Sequence, residues 1–137
     1  MSLETIDLNT YALDLARRAR QAGYLMAQVK GDARDNALRV AAQLLRRHAG
    51  RIVQANAKDM AAGQTAGLSK AVLDRLKLDE NRLHAMAADL ESIAAQVDPV
   101  GQVIDGWVRP NGLRIEKVRV PIGSVLIIYE ARPNVTS

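Results

Sequence analysis

An apolar run near the end of the sequence, Ile122 and then Val125-Leu126-Ile127-Ile128, breaks abruptly into Tyr129-Glu130-Ala131-Arg132-Pro133-Asn134-Val135-Thr136. A short run of Val, Ile and Leu, entered through Pro121 and Gly123 and left through polar residues, predicts a strand covered on both faces, as in parallel sheets. In open α/β sheets the ligand crevice lies beyond the carboxyl ends of the strands, so Glu130, Arg132 and Asn134 form a candidate ligand site. A parallel partner strand requires a crossover of roughly a dozen residues or more. The residues after Ile128 are too few for one, so the sequence is expected to be a piece of a longer protein.

Composition is that of an ordinary globular domain: 48% of residues are hydrophobic and 25% charged. The length of 137 residues suits one domain. With no Phe and only 3% aromatic residues, its core must be made of Ala, Leu, Val and Ile. Small side chains of this kind favour close helix packing. No run reaches the roughly eighteen apolar residues of a membrane span, and Met1-Ser2-Leu3-Glu4-Thr5 has none of the pattern of a secretory signal. A cytoplasmic location and no membrane partner are expected. The absence of cysteine excludes disulfides, thiolate metal sites and a cysteine nucleophile within these residues.

The formal charge of +4 raises the question of nucleic acid. The basic clusters are Arg17-Arg18-Ala19-Arg20 and Arg46-Arg47-His48. Acids are interspersed, no aromatics interleave for base stacking, and both clusters fall on solvent faces of predicted helices. A solvated face is the better reading, and no nucleic-acid partner is expected. His48 and His84 stand alone on helices with no second ligand at a metal spacing, so no metal site is predicted.

Asp98-Pro99 divides a helical stretch from a strand-rich one, since proline drives the residue before it out of the helix. Tyr11, Leu15, Ala19, Ala22 and Met26 recur at helical spacing, with a stop at Lys30-Gly31. Asp32 is a candidate cap for a second helix with Ala33, Ala37, Val40, Ala41, Leu44 and Leu45 on its apolar face, continuing toward Ile52 and Val53. Asn56 with Asp59 three residues on resembles a capped start. Gly63, Gly67 and Ser69 punctuate a turn before a short helix over 71–76. The clearest helix is capped by Asp79 and carries Leu83, Met86, Ala87, Leu90, Ile93, Ala94 and Val97 as one stripe. Met26, Met60 and Met86 fall on apolar helix faces as core gap-fillers.

Beyond Pro99, Asp105-Gly106 and Pro110-Asn111-Gly112 are turn signals flanking short β-prone runs, which predicts a hairpin joining 107–109 to 113–115. Leu113 and Ile115 share one face whereas Val118 and Val120 have the opposite parity, which predicts a bulge or a crossing between sheets near Glu116-Lys117. No long linker or internal repeat separates the parts.

Several separated motifs, Asp74-Arg75-Leu76, Arg109-Pro110-Asn111-Gly112-Leu113, Lys117 to Gly123 and Ile128 to Thr136, resemble the gamma-glutamyl phosphate reductase family. The resemblance covers the whole chain, with Asn56-Ala57-Lys58-Asp59 and Gly67-Leu68-Ser69 also in place. It implies an α/β fold of the aldehyde dehydrogenase superfamily: N-terminal helices, a β-hairpin of an oligomerisation sheet, then the first buried strand of a parallel nucleotide-binding sheet. Residues 1–137 would be the N-terminal part of the cofactor-binding domain, with 100–120 reaching into the oligomerisation sheet of a homo-oligomer. The implied activity is NADPH-dependent reduction of gamma-glutamyl phosphate to glutamate 5-semialdehyde in proline biosynthesis. Its catalytic cysteine would lie beyond Ser137, leaving these residues inactive alone.

Reduction of an acyl phosphate requires a thiol nucleophile, an oxyanion hole, a hydride donor and phosphate recognition. By the resemblance, Asn134 is the oxyanion-hole donor; the alternative is a turn asparagine bonded to local backbone. Tyr129, Glu130, Ala131, Arg132 and Pro133 would run along the nicotinamide end of the cofactor. Arg132 could pair with a substrate anion and Glu130 could orient it or contact a ribose, or the two could form a plain salt bridge. Lys117 and Arg119 would face solvent or a partner subunit. Two other readings compete: a non-catalytic truncated paralogue acting as a partner subunit, and a helical nucleic-acid-binding module.

Overall fold

The computed structural model describes residues 7–129 and 133–136. Its elements are helices α1 (Leu8–Met26), α2 (Gly31–Arg47), α3 (Ala49–Thr65), α4 (Lys70–Leu76) and α5 (Glu80–Ala94), strands β1 (Val103–Val108) and β2 (Arg114–Val118), and a 3-10 turn, Pro133–Thr136. No described helix is long and apolar enough to cross a membrane. The described residues divide into two compact units.

The first unit draws on the described residues up to Gly31 and on Asp98–Leu126. Asp7 caps α1, its carboxylate accepting from the Asn9 N–H at 3.1 Å and from the Thr10 hydroxyl. The predicted stripe on α1 is present but uncovered: Tyr11, Leu15 and Met26 are 58%, 48% and 50% exposed, and α1 buries no residue. Spacing specifies a helix and an apolar face, not the partner of that face. Met26 is therefore no core filler in this chain. The helix ends before Lys30, and Gly31 begins the next helix rather than stopping the first. The basic cluster is engaged within its own helix, Arg18 with Asp14 at 3.7 Å and Arg20 with the Tyr24 hydroxyl at 3.1 Å.

The hairpin forms around Pro110-Asn111-Gly112, but Asp105-Gly106 is no turn: both residues lie within β1, paired with Lys117 and Glu116. β1 and β2 pair antiparallel with Trp107 opposite Ile115 and Val108 opposite Arg114. The Gly112 N–H donates to the Arg109 carbonyl at 2.8 Å, and Gly112 takes φ of 84°, a left-handed value that glycine adopts without a Cβ penalty. The parity slip has its cause on the opposite strand: the register shifts between Val103 and Asp105, where β1 carries one residue more than β2. Only Ile115 of the hairpin is even half-buried; Trp107, Val108 and Val118 stand exposed. The run expected to be a buried strand has no strand partner among the described residues. Ile122, Leu126 and Ile128 are 92%, 81% and 89% exposed, so the expected burial on both faces is not seen among the described residues.

The second unit draws on Asp32–Val97 and the described residues after Ile127. Its core is small-residue packing of α2 against α5: Ala42 and Ala87 are both at 0% exposure beside Leu90, with Leu38, Ala41 and Leu45 half-buried around them. The α2 face is rotated from the sequence reading. Leu38 and Ala42 point inward, whereas Ala33, Ala37, Val40 and Leu44 are exposed. Asp32 lies in the first turn of α2, not at its cap. The helix does not run on to Ile52; it is interrupted at His48, whose backbone leaves the helical region before α3 begins. At the far end the Arg39 guanidinium donates to the Ala94 carbonyl at 2.9 Å, satisfying an orphan acceptor at the end of α5.

Arg46, read from the sequence as part of a solvated basic face, instead reaches across to α5. Both of its terminal nitrogens donate to the Glu91 carboxylate, one at 2.8 Å. That fork holds the Glu91 carboxyl below, and the Arg46 guanidinium above, their usual pKa ranges. Of the second basic cluster, Arg46 is thereby engaged in an internal bridge, while Arg47 stays exposed. On α5 the stripe is buried at Leu83, Met86, Ala87, Leu90 and Ala94, while Ile93 and Val97 lie outside it at 53% and 82% exposure.

Asn56 is the largest local departure. It does not start a helix but sits in the middle of α3 at 5% exposure. Its amide donates to the Leu76 carbonyl at 2.8 Å and its oxygen accepts from the Leu78 N–H at 2.7 Å. Gly63 likewise belongs to α3 and is buried, since a Cβ there would stand 3.0 Å from Leu68 Cδ1 and 3.1 Å from Leu73 Cδ2.

Candidate functional site

The segment between α4 and α5 is fixed from several sides, which gives a rigid wall. Ser69 caps α4, accepting from the Val72 N–H at 3.4 Å, and Asp79 caps α5, accepting from the Arg82 N–H at 2.9 Å. That backbone bond, then a side-chain bond from Lys77, whose Nζ lies 3.2 Å away, holds the Asp79 carboxyl below its usual pKa range. The Arg82 guanidinium folds back over the segment, donating to the Asp74 carbonyl, to Asp74 Oδ1 at 2.8 Å and to the Lys77 carbonyl at 2.8 Å. Asn56 holds the same segment from behind through Leu76 and Leu78. Bonds from two helices therefore pin residues 74–78, and a wall held in this way keeps its shape when a ligand arrives.

Against this wall lies a cleft of about 390 Å³ whose lining includes Asp74, Arg75, Lys77, Arg82, Asp89 and Asn134. Asn134 reaches it on the 3-10 turn Pro133–Thr136, which rests on α5, and its side chain is exposed. Of the other residues expected at the site, Tyr129 is 45% exposed and Pro133 lines the cleft beside Asn134. Glu130, Ala131 and Arg132 lie outside the described residues. A neighbouring hollow of about 630 Å³ is apolar, walled by Leu45, Ile52, Leu83 and Leu90. The described residues include no cluster able to hold a metal ion.

Arg82 and Asp89 belong to no motif of the sequence, yet they stand seven apart on α5, two helical turns, with Ala85 and Met86 between them along the cleft. Helical spacing alone could have found that row, next to the buried stripe of Leu83, Met86 and Leu90.

No family model matches the chain. It is 55% identical over 135 residues to a gamma-glutamyl phosphate reductase of Rhodospirillum rubrum, which takes in 98% of this chain and 32% of that protein. The chain is homologous to gamma-glutamyl phosphate reductases. A second relative of that name, from Paramagnetospirillum magneticum, is 50% identical over the same share of both chains. The chain thus spans about a third of the length of these curated relatives, over their N-terminal portion. The fold agrees. The crystal structure of the gamma-glutamyl phosphate reductase of Thermotoga maritima matches 90% of this chain with a TM-score of 0.86 at 39% identity, covering 30% of that protein. The Saccharomyces cerevisiae protein matches with a TM-score of 0.82 at 31% identity. The helices and two-stranded hairpin described above are therefore those of gamma-glutamyl phosphate reductase structures.

Proposed function

We propose that this chain supplies the N-terminal portion of an enzyme that reduces gamma-glutamyl phosphate to glutamate 5-semialdehyde with NADPH, in proline biosynthesis and in the cytoplasm. The observation that carries this reading is the 55% identity to a named gamma-glutamyl phosphate reductase over 98% of the chain. In the reaction an acyl phosphate, a hydride and a proton give an aldehyde and inorganic phosphate, and NADPH, when bound, supplies the hydride. The attacking thiol must come from outside these residues, which contain no cysteine, so the 137 residues alone are inactive.

Asn134 is assigned the oxyanion role. An amide on a short turn braced by α5 is positioned before reaction, and one such donor lowers the barrier by roughly 3 kcal/mol. Tyr129 and Pro133 fit the flank of a nicotinamide: a half-exposed ring and a rigid ring next to Asn134 offer a surface, while the phosphates and adenosine of a dinucleotide require further residues. Glu130, Ala131 and Arg132 complete the assigned cofactor loop. The run 122–128 becomes the first strand of the nucleotide-binding sheet once its neighbours are present, which accounts for apolar side chains left exposed here. Residues 1–137 then belong to the cofactor-binding domain, and the exposed hairpin, with Trp107, Val108 and Val118 outward, offers an oligomerisation surface to another copy.

The test is the full-length protein in the oxidative direction. It should reduce NADP with glutamate 5-semialdehyde only when phosphate is added. Phosphate-independent turnover, or none, would remove the assignment.

A further inference from the structure

The charged side chains lining the Asn134 cleft are not equivalent. Asp74 and Arg82 satisfy one another, Arg82 also bonds two backbone carbonyls, and Lys77 pairs with Asp79. Arg75 and Asp89 differ: both line the same cleft with no hydrogen bond or ion pair engaging them among the described residues, and of the two only Arg75 is a cation. Arg75 stands in the last turn of α4, with its backbone on the wall that Asn56 and Arg82 hold in place. A guanidinium on a fixed wall offers a planar fork of donors matched to a carboxylate, at little cost in backbone ordering. Resting on the proposed activity, we propose that Arg75 binds the α-carboxylate of the substrate and so makes the enzyme selective for a γ-acyl group that belongs to an α-amino acid.

The division of labour follows from the placement. Asn134, on the turn against α5, serves the reacting carbonyl, and Arg75, on α4, holds the far end of the same molecule. Binding energy from that distant carboxylate orients the acyl group rather than changing its chemistry. The competing role for a basic residue in a last helical turn, offsetting the helix dipole, would affect stability and treat all substrates alike.

The experiment uses the full-length enzyme as wild type, Arg75→Ala and Arg75→Lys. NADP reduction is followed with glutamate 5-semialdehyde and with 4-aminobutanal, the same aldehyde without its carboxylate, both with phosphate. The proposal predicts that Arg75→Ala raises KM for glutamate 5-semialdehyde about 10- to 100-fold, that Arg75→Lys raises it less, and that 4-aminobutanal kinetics stay as in wild type. Equal losses on both aldehydes, or an unchanged KM for glutamate 5-semialdehyde, would overturn it. A wild type that uses both aldehydes equally well would also overturn it while leaving the reductase activity standing. A wild type inactive on both would remove that activity and the carboxylate site with it.

Discussion

Replacing Asn56 by Ala isolates the bracing of the cleft wall in a single side chain. The change removes a donor to the Leu76 carbonyl and an acceptor from the Leu78 N–H, at 2.8 and 2.7 Å, from a residue 5% exposed. Leaving a buried backbone group without its partner costs about 1–3 kcal/mol. Leu76 and Leu78 are only half-buried, so water recovers part of each loss and the lower half of that range applies to both. Alanine returns up to about 0.7 kcal/mol through its better helix propensity. The net expectation is a loss of about 2 kcal/mol, which opens the Leu78 amide to hydrogen exchange roughly 30-fold faster. Urea unfolding followed by circular dichroism, together with native-state hydrogen exchange, measures both quantities. Asn56→Asp supplies the contrast: it keeps an acceptor for Leu78 but sets a carboxylate against the Leu76 carbonyl, so stability should fall while the Leu78 amide stays protected. If Asn56→Ala changed stability by less than about 0.5 kcal/mol and left the Leu78 amide slow, the wall would not depend on this bond pair.

Two further perturbations test the same unit. Gly63→Val would drive a branched side chain toward Leu68 and Leu73, which already stand within 3.1 Å of where a Cβ would lie, and should cost about 1–3 kcal/mol in urea unfolding. Acid should weaken the protein in a defined window: Glu91 and Asp79 titrate below their ordinary 4.5 and 3.8 when folded, so their contribution is complete above about pH 5 and is lost as pH falls through the depressed folded values. Glu91→Gln should flatten the fall in urea midpoint between about pH 5 and pH 3.5, and an unchanged slope would exclude the Arg46 bridge as a source of it.

What could be read from the sequence was what is local. Asp79 announces α5 and Gly112 announces the hairpin turn because a cap and a left-handed glycine are decided within a few residues. Asn56 misleads for the same reason. Asn with Asp three residues later obeys the grammar of a helix start, but its partners lie twenty residues and more along the chain. Arg46 misleads likewise, since a basic pair in a last turn gives no hint of Glu91 on another helix. The exposed faces show a third case: periodicity on α1 and the run 125–128 reported apolar surface faithfully but not what covers it. At the site, Glu130, Arg132 and Asn134 follow from the abrupt end of the apolar run, whereas their roles, and the 129–133 loop as a cofactor segment, come from family resemblance. The row of Arg82 and Asp89 becomes meaningful only once Leu83, Met86 and Leu90 are known to face the core.

The central claim is that this chain brings the oxyanion donor to a gamma-glutamyl phosphate reductase. The most direct measurement is kcat of the full-length enzyme and its Asn134→Ala variant for phosphate-dependent NADP reduction with glutamate 5-semialdehyde. The account predicts a fall of about 10²- to 10³-fold in kcat with KM little changed. A variant that keeps kcat within about threefold of wild type would contradict it.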